Sequence, residues 1–115
     1  MNYDKLFDIE EIIVEDRKTG KEKTVTIYKP KYEKGKIFAP LRDKYLDAKP
    51  EEKVRQEFIC RLINDYGYTL EQMAQEVQLT SSSRGTGRAS ADIVVWRTKE
   101  EKEQNKTAFL VVELK

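Results

Sequence analysis

Three residues near the end of the chain combine types suited to phosphate chemistry. Glu113 and Lys115 close the segment TAFLVVELK, and Asp92 lies at the start of ADIVVW. Side chains alternate between the two faces of an extended strand. Phe109, Val111, Glu113 and Lys115 therefore share one face, and Leu110, Val112 and Leu114 share the other. An apolar strand thus ends with a carboxylate and an ammonium side by side, and burying such charges is costly unless they are paired or bind something. If the two strands are antiparallel neighbours, the start of one lies opposite the end of the next, and Asp92 meets Glu113. Two converging carboxylates suit Mg²⁺, which takes oxygen ligands, often one or two carboxylates and several waters. The Leu114 carbonyl is a further oxygen donor. Such an ion lowers the pKa of its water and makes it a better nucleophile. Lys115 is placed to orient that water or to stabilise charge on a phosphate. The reaction that fits is phosphodiester hydrolysis.

The Glu-x-Lys triplet by itself says little, because it also occurs at Glu51/Lys53 and Glu100/Lys102. Its place at the end of an apolar strand, after an acidic strand start, is what sets Glu113/Lys115 apart. A strand-end salt bridge is the competing reading for that pair, and a capping or strand-edge aspartate for Asp92. Composition narrows the chemistry further. The chain has no histidine, which excludes Ser-His-Asp and Cys-His catalysis and histidine-ligated metal sites. Cys60 is the single cysteine, so neither an intrachain disulfide nor a cysteine metal cluster can form. No GxxxxGK[ST] occurs, hence no P-loop ATP site. A net charge of only +1 means that any nucleic-acid contact must be a local patch.

The elements that must position these residues fit one domain of 115 residues. Charged residues make up 37%, but 10% aromatic residues argue for a folded chain. The longest apolar run, Ala108 to Val112, is far short of the roughly 20 residues that span a bilayer. The N-terminus lacks an apolar signal core, so a cytoplasmic protein without membrane contact is expected. Ile12–Val14, a turn at Thr19-Gly20 and the alternating TVTIY predict a β-hairpin. Pro30, Gly35 and Pro40 predict a connector over 29–49. PEEKVRQEFICRLINDYGY predicts an amphipathic helix, opened by proline and glutamates and capped by Gly67, with Val54, Phe58, Leu62 and Tyr66 as its stripe, widened by Ile59 and Ile63. Cys60 is expected to be a helix residue without chemistry. Thr69 and Gln72 fit a capping box for a short helix through Leu70, Met73 and Ala74. Strands are then expected at QEVQL, ADIVVW and TAFLVVELK, with a charged hairpin loop at RTKEEKEQNK. That order predicts an α/β or α+β domain.

Asp92, Glu113, one apolar residue and Lys115 match the D…E-x-K signature of PD-(D/E)XK nucleases. Taken together, KPEEKVRQEFICRLINDYGY, QEVQL, GRASADIVVW and FLVVELK resemble the N-terminal nuclease region of type I restriction enzyme R subunits. The resemblance covers residues 49–115 as a partial nuclease core and leaves 1–48, a hairpin and connector, unassigned. It implies a restriction-endonuclease-like fold, a mixed sheet flanked by helices, here truncated after the Glu-x-Lys strand and expected to be inactive alone. It implies Mg²⁺ on Asp92 and Glu113, Lys115 as catalytic lysine, and Glu57 as the helix glutamate near the metal; a solvated salt-bridge former beside Arg55 and Arg61 is the competing reading for Glu57. The intact subunit would also carry an ATP-driven motor and act on DNA with methyltransferase and specificity subunits.

The loop Thr80–Ser90 is expected to be mobile. Its Arg84 and Arg88, between serines and glycines, are candidate phosphate contacts, against a plain solvated loop. Two other functions stay open: a non-catalytic nucleic-acid-binding or assembly module of the same fold, and a repair or junction-resolving nuclease.

Overall fold

The computed structural model describes residues 3–78 and 90–114. A single helical turn, α1 (Tyr3–Leu6), leads into the hairpin of β1 (Asp8–Glu15) and β2 (Glu22–Lys29). The hairpin is antiparallel and in register from Asp8↔Lys29 to Glu15↔Glu22. Its turn is closed by Gly20 N–H on the Asp16 carbonyl (2.7 Å) and by Lys18 N–H on the Asp16 side chain (2.8 Å). Gly20 adopts φ +71°, which glycine tolerates without penalty. β1 is exposed along its whole length. The apolar run Ile12–Val14 therefore decorates a projecting arm rather than the core.

The arm is rooted at its base. Tyr3, Phe7 and Tyr28 meet edge to face, with ring centroids 5.5–5.9 Å apart. The Asn64 side chain accepts from Tyr28 N–H (2.9 Å) and donates to the Tyr28 carbonyl (2.8 Å). It pairs with the strand as another backbone would.

The expected connector is corrected. Residues 29–49 contain a small antiparallel sheet of β3 (Tyr32–Glu33), β4 (Lys36–Ala39) and β5 (Lys44–Asp47). Strands of two to four residues show too little alternation to be read from sequence. Prolines at 30 and 40 bracket β3 and β4 instead of excluding strands.

The long helix, α2 (Pro50–Tyr66), has the expected bounds. Gly67 is left-handed (φ 73°) and donates to Ile63, while Tyr68 donates to Leu62, which satisfies the last carbonyls. The buried face differs from the expected stripe. Glu52, Gln56, Ile59, Cys60 and Leu62 are buried, whereas Val54 and Tyr66 are exposed. At about 100° per residue, Glu52, Gln56 and Ile59 lie along one line of the helix. The polar pair is tolerated there because it is hydrogen-bonded.

Thr69 N–H reaches the Gln72 side chain (3.0 Å), as a capping box requires, but only one 3₁₀ turn follows (Leu70–Gln72). Met73 and Ala74 instead begin β6 (Met73–Gln78), a further correction. Fully buried Met73 pairs with Val95, and this distant pairing overrides the local helix preference. β7 (Ser90–Val95) lies between β6 and β8 (Leu110–Val112), antiparallel to both. The expected charged loop contains a short helix, α3 (Lys99–Glu103), capped by the Thr98 hydroxyl.

The α+β class holds. Pairing among the described residues is antiparallel, in three small sheets rather than one mixed sheet. One core joins the N-terminal and C-terminal segments: Phe7 packs with Ile59, Leu62, Leu70, Met73, Ile93 and Val95. Leu110, Val112 and Leu114 face this core, and Phe109 and Val111 are exposed, as the alternation of the last strand requires. Among the described residues, no helix is long and apolar enough to cross a membrane.

Candidate functional site

β7 carries the register that builds the site. Ile93 pairs with Val112 and Val94 with Val111; the paired strand ends at Val112, and beyond it the Leu114 N–H reaches the Asp92 side chain (2.7 Å). On the other side, Gln75↔Ile93 and Val77↔Ala91 leave Glu76 level with Asp92. Glu76 and Asp92 therefore sit level on β6 and β7, and Glu113 follows the end of β8. Glu76 itself has φ +53°, a left-handed conformation that costs a non-glycine residue on the order of 1 kcal/mol. Backbone strain at a polar cluster is where functional constraint is sought.

Both oxygens of Asp92 are engaged. Oδ1 accepts from Arg55 Nη2 (2.9 Å), and Oδ2 accepts from Leu114 N–H (2.7 Å). The Arg55 guanidinium, with help from the Leu114 amide, holds the carboxyl below its ordinary value of 3.8 against the opposing pull of burial. The Leu114 bond also fixes the end of the last strand to the start of β7.

Arg55 is the hub. Its Nη1 donates to Glu52 (2.6 Å) and to Glu76 (2.9 Å). Glu52 and Arg55 sit one turn apart on α2, so the helix directs both toward the sheet. Glu76 is also held by Arg42 (2.6 Å). Burial pulls the Arg55 pKa down, but Asp92, Glu52 and Glu76 outweigh it and raise the value overall. Beneath this cluster, the Gln56 amide nitrogen donates to Glu52 (2.7 Å) and to Gln75 (3.2 Å). Two buried atoms in the cluster have no partner: Arg55 Nε and Gln56 Oε1.

Clefts open on both sides of it. One of about 270 Å³ is lined by Pro50, Glu51, Val54, Asp92 and Leu114. A second of about 320 Å³ is bordered by Arg42, Asp47, Lys49, Glu52 and Glu76. Asp92 is thus reachable from solvent, although its oxygens are occupied.

The residues singled out from sequence are placed as follows. Asp92 lies on β7 and Glu113 just past the end of β8, where it is exposed. Glu57 is exposed on α2, about 200° around the helix axis from Arg55, and its charge acts on Cys60 and Tyr32 rather than on the Arg55 cluster. Lys115, Arg84 and Arg88 lie outside the described residues, as does most of the Thr80–Ser90 loop. Sequence reasoning missed Glu52, Arg55, Gln56 and Glu76. The one available signal was the opposite-charge pair Glu52/Arg55 at i, i+3 on the helix.

The donors are all oxygens, which fits a hard divalent ion. Among the described residues, no group of three or more acidic or cysteine side chains is arranged to hold a metal ion.

Residues 50–115 match the family described as the type I restriction enzyme R protein N terminus. No curated protein matches the chain, and no solved structure does.

Proposed function

The chain belongs to the type I restriction enzyme R protein N-terminus family, and from that premise we propose that it is the DNA-cleaving domain of such a subunit, a PD-(D/E)XK nuclease that hydrolyses phosphodiester bonds with Mg²⁺. The observation that supports this reading is the Asp92 carboxylate, which accepts from the Leu114 N–H (2.7 Å), next in sequence to Glu113. Mg²⁺ would supply charge neutralisation at the phosphate and a more acidic water as nucleophile. Asp92 and Glu113 are the residues to hold it. The Lys115 ammonium, two residues after Glu113 in the sequence, is suited to charge developing on the phosphate. The cleft beside Asp92 gives a phosphate access. Arg84 and Arg88 are the candidate contacts to the DNA backbone. ATP-driven translocation belongs to other parts of the subunit, and the methyltransferase and specificity subunits are its expected partners.

One observation favours a second reading, a non-catalytic DNA-binding or assembly module of the same fold: both Asp92 oxygens are already bonded within the protein. Plasmid cleavage by the intact subunit with its partners separates the two. Asp92→Asn and Lys115→Ala are each expected to lower Mg²⁺-dependent cleavage by about 100-fold or more while ATP hydrolysis persists. Full cleavage by both variants would leave only the non-catalytic reading.

A further inference from the structure

We infer that two copies of this chain join through the free edge of β1, antiparallel and in one register, into a four-stranded sheet. The pairing is independent of the nuclease reading.

β1 carries Ile9, Ile12, Ile13 and Val14, all exposed, Ile13 by 70%. Among the described residues it pairs with β2 alone. A two-stranded ribbon is marginal in water and gains from a third strand. A long apolar edge invites one.

Asn64 reveals which backbone groups are free. It takes both the N–H and the carbonyl of Tyr28, so these point away from β1. Tyr28 stands opposite Ile9. Opposed residues in an antiparallel ladder alternate between exchanging two hydrogen bonds and exchanging none. Ile9, Glu11, Ile13 and Glu15 therefore turn their N–H and carbonyl groups outward on the β1 side of the ribbon, as Thr24 and Thr26 do on the β2 side. Asn64 of α2 closes the β2 side at its base. Among the described residues, no backbone group bonds to the outward groups of β1, so this edge is open.

The carboxylates select what fits it. Outward groups meet only where odd-numbered residues of one copy face odd-numbered residues of the other, so the register moves in steps of two. With Ile12 on the two-fold axis, Ile9 faces Glu15, Glu10 faces Val14 and Glu11 faces Ile13. No two carboxylates are then opposed from residue 9 to residue 15. A slide of two residues in one direction sets Glu11 against Glu11 of the second copy, and in the other direction against its Glu15. Like charges directly opposite destabilise a strand pair. The acids thus fix the register rather than forbid the pairing. Val25 stands opposite Ile12 within each hairpin, so an apolar row of Val25, Ile12, Ile12 and Val25 crosses all four strands. Past the strand ends, Asp8 meets Asp16 of the second copy, whose carboxylate is turned to the Lys18 N–H and is followed by Arg17 and Lys18.

The test is sedimentation velocity of the full chain over a micromolar concentration series, with hydrogen exchange of the wild-type protein at both ends of the series. The ladder is a short interface, so dimerisation with a Kd on the order of 10 µM is expected. In the concentrated sample the Glu11 and Ile13 amides should gain protection, and those of Thr24 and Thr26 should not. Ile13→Pro removes an outward N–H that the hairpin does not use, and should leave a monomer. Ile13→Glu sets a carboxylate against Glu11 of the second copy at two symmetric positions, and should weaken association by about tenfold. Ile13→Lys sets an ammonium there instead, and should associate at least as well as wild type. Contact through an apolar patch without this register would be lost in all three variants. Protection gained at Thr24 and Thr26 instead, or Ile13→Lys as monomeric as Ile13→Glu, overturns the pairing. So does a wild-type chain that stays monomeric throughout, which would leave the edge to a strand of another protein.

Discussion

Arg55 Nη2 lies 2.9 Å from Asp92 Oδ1, and this contact ties the first half of α2 to the start of β7. It makes the candidate site a tertiary structure, since the two residues come from separate elements of the fold. Removing the guanidinium would strand Glu52, which is buried, and leave Asp92 and Glu76 facing each other. Breaking one partner of a buried ion pair costs about 3–5 kcal/mol. Glu76 is 40% and Asp92 26% exposed, so solvent screening reduces the expected loss to about 2–3 kcal/mol for Arg55→Ala. Arg55→Lys keeps a charge but cannot fork between Nη1 and Nη2 partners, so about half that loss is expected. Urea denaturation of the two variants in EDTA checks both values.

Asn64 holds the hairpin arm. Its amide satisfies both polar groups of Tyr28 at a part-buried position. Asn64→Ala leaves a donor and an acceptor unmet and is expected to cost about 1–2 kcal/mol. Hydrogen exchange gives the sharper readout: the Tyr28 amide should lose protection while the core amides of Ile93 and Val95 keep theirs. Uniform loss across both sets would mean that the arm and the core open together.

Gly67 should tolerate no side chain despite the room around it. A Cβ placed there meets nothing within 4 Å, yet φ is +73°. Gly67→Ala is therefore expected to cost about 1 kcal/mol through backbone conformation alone. Gly67→Asn should cost less, because asparagine enters the left-handed region more readily. The order Gly, Asn, Ala in urea midpoints checks this.

What was legible in the sequence was local. The bounds of α2, the Gly67 cap and the Thr69/Gln72 box depend on residues a few positions apart. The hairpin was visible from its turn and alternation. The antiparallel pairing of β7 with β8 followed from the two apolar runs, but it stops at Val112, short of Glu113. The buried line Glu52–Gln56 was not legible, because a pattern of apolar residues is blind to polar ones that are buried with partners. Those partners, Gln75 and Glu76, lie on another element. Arg55 stayed hidden for the same reason: its role exists only once α2 is laid against β6 and β7. Met73 illustrates the converse, a residue whose helix preference gave way to a strand fixed by Val95.

Cys60 should be inert in the folded protein. It is buried on α2 against the core, and burial, with the Glu57 charge as a second cause, pushes its thiol up from 9.0 to about 12. The thiolate is the reactive form, so both access and ionisation oppose modification. At pH 8 the native protein is expected to resist Ellman's reagent, and the same protein in urea should react at the rate of a free thiol. The raised value also fixes a pH dependence. The folded state keeps the Cys60 proton over a range where the unfolded state has lost it. The contribution to stability is thus fully present below about pH 9 and is lost as pH rises through about 12. Cys60→Ala removes this titration. The stability gap between wild type and Cys60→Ala should therefore shrink above pH 9, by at most about 1.4 kcal/mol per pH unit. Other groups titrate there too, but they are common to both proteins and cancel in the difference. Native reaction at pH 8 as fast as in urea, or a gap that stays level from pH 8 to 10, would show that Cys60 is not held where the α2 packing places it.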